Sequence, residues 1–146
     1  MPESIKDNVV IDPERLWRGW QKHTPFEAVV PMVLEAHDKA AGTASFRLPY
    51  KPEYRRSDKQ PTGYHGGVIA TVIDVAGDFA VAIKCAGAGV PTINLSIDYL
   101  RSAGATDLVI HARVRRAGRT IAVVDIDVEE PGGRLIAVGR GTYGTK

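Results

Sequence analysis

Only one cysteine, Cys85, occurs in the 146 residues. No disulfide can form within the chain, CxxC metal spacing is absent, and a reducing, cytoplasmic setting is expected. Neither charge sign dominates: 19 Lys and Arg stand against 17 Asp and Glu, a formal +2. So mild an excess does not argue for a nucleic-acid binder, which usually shows a clustered basic face, and it suits a small anionic ligand. The N-terminus carries acids early and no apolar stretch, so no signal peptide is expected. The longest apolar segment, Val68 to Cys85, is interrupted by Asp74, Asp78 and Lys84. A membrane span needs about 20 residues almost free of charge, so no membrane partner is expected. The histidines fall in no metal-binding spacing, and no metal site is expected. Hydrophobic content of 44% and charged content of 25% fit one globular domain over residues 1–146.

Asp12-Pro13-Glu14 is a helix start: Asp12 caps, Pro13 suits the first helical position and Glu14 favours the positive end. A short helix over 13–23 follows, halted before Pro25. Apolar residues from Val29 to Lys39, a turn at Ala41-Gly42 and the alternation of "GTASFRLPY" predict a hairpin. "KPEYRRSDKQPTGY" is a loop. The run from about 66 to 85 is too long for a strand and apolar all round, which predicts a buried helix. Gly77 weakens that helix by roughly 1 kcal/mol relative to Ala and would let another backbone come close.

After "AGAGVP" the period becomes two. Ile93, Leu95, Ile97 and Tyr99 take one face of "TINLSIDYL", and Thr92, Asn94, Ser96 and Asp98 the other. Three further strands follow, joined by turns at Ala117-Gly118-Arg119 and Pro131-Gly132-Gly133. The expected order is hairpin, long helix, then a four-strand antiparallel meander. That is an α+β layer design in which the sheet curls around the helix.

The chemistry gathers in "HGGVIATVIDVAGDF". The first turn of a helix presents free N–H groups in a partial positive potential, and glycine lets a ligand approach them. Gly66-Gly67 therefore reads either as an oxyanion hole or as a tight loop-to-helix turn. Asp74 lies eight residues on, roughly 12 Å along the axis. It cannot reach a carbonyl held at its own helix start, so joint action requires a second copy related by two-fold symmetry. Asp74 and Asp78 share a face and could equally serve structure by pairing or capping; Asp78 is assigned to that role.

"HGGVIATVIDVAGDFAVA", "PTINLSIDYLRSA" and "RRAGRTIAVVDIDVEEPGGRLIAVGRGTY" together resemble the hotdog-fold thioesterases, most of all the PaaI-like acyl-CoA thioesterases, over about residues 40–144. The resemblance implies a sheet wrapped round a central helix, and a homodimer or dimer of dimers with sites between subunits. It implies that Gly66 polarises a thioester carbonyl, and that Asp74 of the other subunit acts as general base or nucleophile. It implies further that Thr92 helps hold the water and that His65 orients the loop. It places the turn with Arg116, Gly118, Arg119 and Thr120 near the coenzyme A phosphates, coenzyme A being expected as part of the substrate and not as a cofactor. Relatives tend to show Asn-x-x-Gly-x-x-His; here Gln60 keeps the spacing to Gly63, with one residue fewer before His65, and the resemblance offers it for the amide role.

Other residues carry plainer readings. His23 and His37 are surface residues, Trp17 and Trp20 pack, and Cys85 fills core. Each arginine of Arg113, Arg115, Arg116 and Arg119 singly suits a solvated face; the group suits phosphates. Two other functions compete with thioester hydrolysis. An enoyl-CoA hydratase or dehydratase on the same fold would need a His working with an acid. A non-catalytic acyl-CoA binder would lack the base.

Overall fold

The computed structural model describes residues 11–59 and 63–146. Helix α1 (Pro13–His23) starts where the capping signal places it: the Asp12 carboxylate accepts from the amides of Glu14 at 3.0 Å and Arg15 at 3.3 Å. Strands β1 (Val33–Asp38) and β2 (Thr43–Leu48) form the expected hairpin, closed by Gly42 at φ +69°. The apolar run before Val33 is not strand, because Pro25–Ala28 winds into one 3₁₀ turn. Helix α2 covers Gly66–Val81 and continues through a π turn at Ala82–Ala86, ending at Gly87 with φ +70°. Then come β3 (Thr92–Tyr99), β4 (Leu108–Ala117), β5 (Ile121–Glu129) and β6 (Leu135–Gly144).

All six strands pair antiparallel in the order β1-β2-β4-β5-β6-β3. The expected four-strand meander is therefore corrected to three strands, β4 to β6. Tight turns force neighbours only there. The eight residues 100–107 between β3 and β4 are long enough to separate them. β4 joins β2, with Leu48 opposite Leu108, and β3 closes on the far side of β6. Among the described residues, one long edge of β3 has no strand partner.

The sheet wraps α2. Ile69, Val72, Ile73, Ala76, Phe79 and Ala80 are buried against inward residues such as Phe46, Leu48, Ile110, Val124 and Ile126. Each such large side chain contributes about 1.5–3 kcal/mol on leaving water. Trp17 of α1 closes one end: its ring centroid lies 4.8 Å from Phe46 and 5.5 Å from Phe79, in tilted and edge-on contacts. The packing role read for Trp17 and Trp20 is what the structure shows, whereas Cys85, expected to fill core, is exposed in the π turn that ends α2. Outward positions of β4, β5 and β6 are charged, and Arg140 forks onto Asp125 at 2.7 and 3.0 Å.

Gly77 has a different reason from the one the sequence suggested. The atoms nearest its open side belong to a side chain and not to a backbone. The ring of Tyr143 on β6 lies over it, so that an added Cβ would fall 2.8 Å from Tyr143 Cζ. Gly141 leaves room for the same ring from the strand side, where the matching distance is 2.7 Å. A fully buried tyrosine thus fits between two glycines, one on the helix and one on the sheet.

Candidate active site

Asp74 sits at the middle of α2, half-buried. Its Oδ1 accepts from Thr92 Oγ1 at 2.8 Å. The Tyr143 hydroxyl donates to the Asp74 carbonyl at 3.1 Å and to Oδ1 at 3.3 Å. Burial pushes the Tyr143 phenol well above its ordinary range, and the nearby charges of Asp74 and Asp78 push it further. It stays a donor. Among the described residues Oδ2 has no partner and is open to a water or a substrate.

Strict alternation turns Thr92 away from the helix. The structure turns it inward, because β3 bulges. Thr92 lies opposite Tyr143 and Asn94 opposite Thr142, so Ile93 is an extra residue against β6. One extra residue inverts the parity of side chains before it. The predicted faces hold from Asn94 onward, and Thr92 changes sides.

One turn beyond Asp74, the Oδ1 of Asp78 accepts from the Val90 amide at 2.9 Å. Burial pushes the Asp78 carboxyl up to about 7, opposed by the Val90 hydrogen bond and reinforced by the charges of Asp74 and Glu27. Asp78 holds the loop that leads into β3.

The helix start is built separately. His65 is the N-cap, and its Nδ1 accepts from Gly67 N at 2.9 Å. An accepting Nδ1 puts the ring proton on Nε2. The Val68 amide goes to the His65 carbonyl at 3.0 Å. The two glycines thus differ: Gly67 N–H is occupied by the cap, while Gly66 N–H has no acceptor among the described residues. The Gly66 carbonyl accepts from the Tyr99 hydroxyl at 3.0 Å. Beside this turn an open apolar groove of about 780 Å³ is lined by Phe26, Val29, Val30, Tyr54, His65 and Val68. A hollow of about 340 Å³ on the other side reaches Gly66 itself, with Arg56, Tyr99 and Arg101. A further hollow of about 630 Å³ on the outer face of the sheet is charged and lined by none of these residues.

The structure therefore brings Thr92 to Asp74 and His65 to Gly67, but it does not bring Asp74 to Gly66 within one chain. The Arg116–Thr120 turn lies at the Asp74 end. Thr92, Tyr143, Ala122 and Ala117 form one row across β3, β6, β5 and β4, and the turn follows directly. It is tied to the C-terminus by Thr145 Oγ1 on the Gly118 carbonyl at 3.2 Å and Thr145 N on the Thr120 carbonyl at 3.0 Å. Arg116, Arg119 and Thr120 are exposed. Gln60 lies outside the described residues. Among the described residues no three His, Cys, Asp or Glu side chains are grouped to hold a metal ion.

A family model described as the thioesterase superfamily matches residues 64–137, the span from just before the helix cap to the first residues of β6. A Halobacterium salinarum protein provisionally named an esterase is 35% identical over 119 residues, covering 75% of this chain and 78% of that one. The chain belongs to the thioesterase superfamily. Human acyl-coenzyme A thioesterase 13 is 35% identical over 80 residues, 53% of this chain and 57% of its own. The structure of the Escherichia coli PaaI protein from the phenylacetic acid degradation operon superposes with a TM-score of 0.80, covering 95% of this chain and 96% of that one; at 18% identity the likeness is one of fold. The wrapped helix described above is the hotdog fold of this superfamily.

Tyr143 is the residue that reading the thioesterase sequence missed as a partner of Asp74. Its signal was present: an aromatic in a strand, a glycine two before it, and a glycine in the central helix one turn from the carboxylate.

Proposed function

We propose that the protein is an acyl-CoA thioesterase, hydrolysing a small, medium-chain or aromatic acyl-CoA thioester at a centre shared by two protomers. One observation supports the reading: the two ends of edge strand β3 are hydrogen-bonded, one to the Asp74 carboxylate and the other to the Gly66 carbonyl. At its start, Thr92 sets the carboxylate of Asp74. At its end, Tyr99 lies against Gly66, whose N–H is open. Antiparallel pairing of β3 with its own copy exchanges these ends about a two-fold axis. It carries Asp74 of one protomer toward Gly66 of the other. Exposed Ile93 and Tyr99, at 59% and 53%, give the edge an apolar surface to cover.

The chemistry follows from the parts. Gly66 N–H stabilises the oxygen that becomes negative when the thioester carbonyl is attacked. Asp74 Oδ2 takes a proton from the attacking water while Thr92 and Tyr143 fix Oδ1. The tetrahedral intermediate breaks its C–S bond and expels coenzyme A as the thiolate, the proton held by Asp74 passes to that sulfur, and the acid leaves with the Asp74 carboxylate restored. The apolar groove beside His65 and Val68 suits the acyl group, and the Arg116–Thr120 turn suits the phosphates. A hydratase would need His65 as proton carrier with an acid partner; His65 Nδ1 is engaged in the cap, and no carboxylate is bonded to its ring among the described residues.

The test is release of coenzyme A thiol from a panel of aliphatic and aromatic acyl-CoAs, with Asp74→Asn and Gly66→Pro. Proline removes the Gly66 N–H, suits a first helical position, and accepts the extended His65 before it at φ −61°, ψ 132°. Each variant alone should be inactive. Co-folded, they leave one intact site in each mixed dimer and should recover roughly a quarter of wild-type activity. Turnover that survives Asp74→Asn, or no hydrolysis of any thioester by the wild type, would sink the proposal.

A further inference from the structure

We propose that Asp78 is a positioning residue that sets Thr92, and through it the Asp74 carboxylate, by holding the Val90 amide; the catalytic part of this rests on the thioesterase reading.

The path is short. Asp78 Oδ1 accepts from Val90 N at 2.9 Å, and Thr92, two residues on, donates to Asp74 Oδ1 at 2.8 Å. Asp74 and Asp78 lie one turn apart on one face of α2, so the helix holds both ends of a closed loop through Val90, Pro91 and Thr92. Pro91 stiffens that loop and its carbonyl accepts from Gly144 N at 2.9 Å. The loop is thus gripped from the helix at Val90 and from β6 at Pro91.

Such a grip is needed where it occurs. In a regular strand the ladder fixes which way a side chain points. The bulge at Ile93 interrupts the ladder immediately after Thr92, and the ladder alone does not hold Thr92 toward the helix. An anchor on its other side completes the constraint, and the Asp78–Val90 bond is that anchor. The position is also an expensive place for a carboxyl. Burial, Asp74 on the same helix and Glu27 in the Pro25–Ala28 turn all oppose its charge, and only the Val90 amide favours it. Filling space alone would be served by an apolar side chain.

The acceptor, not the charge, should matter. Asp78→Asn keeps a carbonyl oxygen for Val90, whereas Asp78→Leu removes the acceptor together with the desolvated charge and so does not strand a charge in the fold. Steady-state kinetics on the preferred acyl-CoA should show Asn within about threefold of wild type. Leu should lower kcat about tenfold or more with KM within twofold. Asp78→Leu placed on Thr92→Val should cost less than about twofold further, because both act on one hydrogen bond. Crystal structures of the two Asp78 variants give a readout independent of turnover. Thr92 Oγ1 should leave hydrogen-bond range of Asp74 in the Leu variant and stay in range in the Asn variant. Equal losses in Asn and Leu, fully multiplicative losses with Thr92→Val, or Thr92 unmoved in the Leu variant would overturn the proposal. A wild type without thioester turnover would remove the reaction but leave the crystallographic comparison to decide the Asp78–Thr92 coupling.

Discussion

Thr92 donates its hydroxyl to Asp74 across 2.8 Å from a strand position that plain alternation turns the other way, and the bulge at Ile93 makes the contact possible. Hydrogen bonds to charged groups contribute about 1.5–3 kcal/mol. Thr92→Val should therefore lower kcat by about ten- to a hundredfold with little change in KM. Thr92→Ser should retain most activity. Thiol release at saturating substrate is the measurement, and a silent valine variant would detach Thr92 from the reaction.

Gly77 offers a test in which two rules give opposite signs. In an open helix interior, Gly to Ala stabilises by roughly 1 kcal/mol. Here the new Cβ meets the Tyr143 ring, which is itself wedged against Gly141. Overpacking typically costs about 1–3 kcal/mol. Gly77→Ala should lower Tm in calorimetry and, by displacing the Tyr143 hydroxyl, lower kcat as well. A rise in Tm would show that the ring has room to move.

Local patterns carried most of the elements, and what they could not carry has identifiable causes. The Asp12 cap, the Gly42 turn and the apolar run from Gly66 are signals written within a few residues, and the structure places α1, the hairpin and α2 there. The β3–β6 pairing joins Thr92 to Tyr143, 51 positions apart, and no turn between them announces it. Thr92 was legible only as a family position, because a bulge leaves no periodic trace and reverses the face that periodicity assigns. The separate fates of Gly66 and Gly67 were hidden for a similar reason. Only the placed imidazole of His65 shows which amide is occupied.

Asp78 should make stability depend on pH. Its folded-state value of about 7 lies above the ordinary 3.8. Between about pH 4 and 7 the folded chain keeps a proton that the unfolded chain has released, so this group's contribution to stability falls as pH rises through that window and levels off above it. Asp78→Asn removes the effect. Denaturant unfolding should show the variant gaining on wild type between pH 4 and pH 8, by at most on the order of 4 kcal/mol. A constant difference across that range would mean that the site is wetter than its surroundings indicate.

The free edge of β3 should answer to a single charge. Ile93 is 59% exposed beside a strand edge that no strand among the described residues pairs with. A lysine on such an edge opposes strand-to-strand association. Ile93→Lys should shift the chain to monomer in light scattering and remove more than about nine-tenths of the activity, while circular dichroism stays that of the wild type. An active monomer would place the whole site in one chain.

The packing around α2 is completed by residues of the same chain, whereas the proposed reaction uses residues at both ends of an edge that only a second chain can bridge. Folding and turnover then differ in kinetic order. Dilution below the dissociation constant would leave every molecule folded and nearly every one idle, with specific activity falling in proportion to concentration. Abundance itself would act as the throttle on the enzyme, with no effector molecule required.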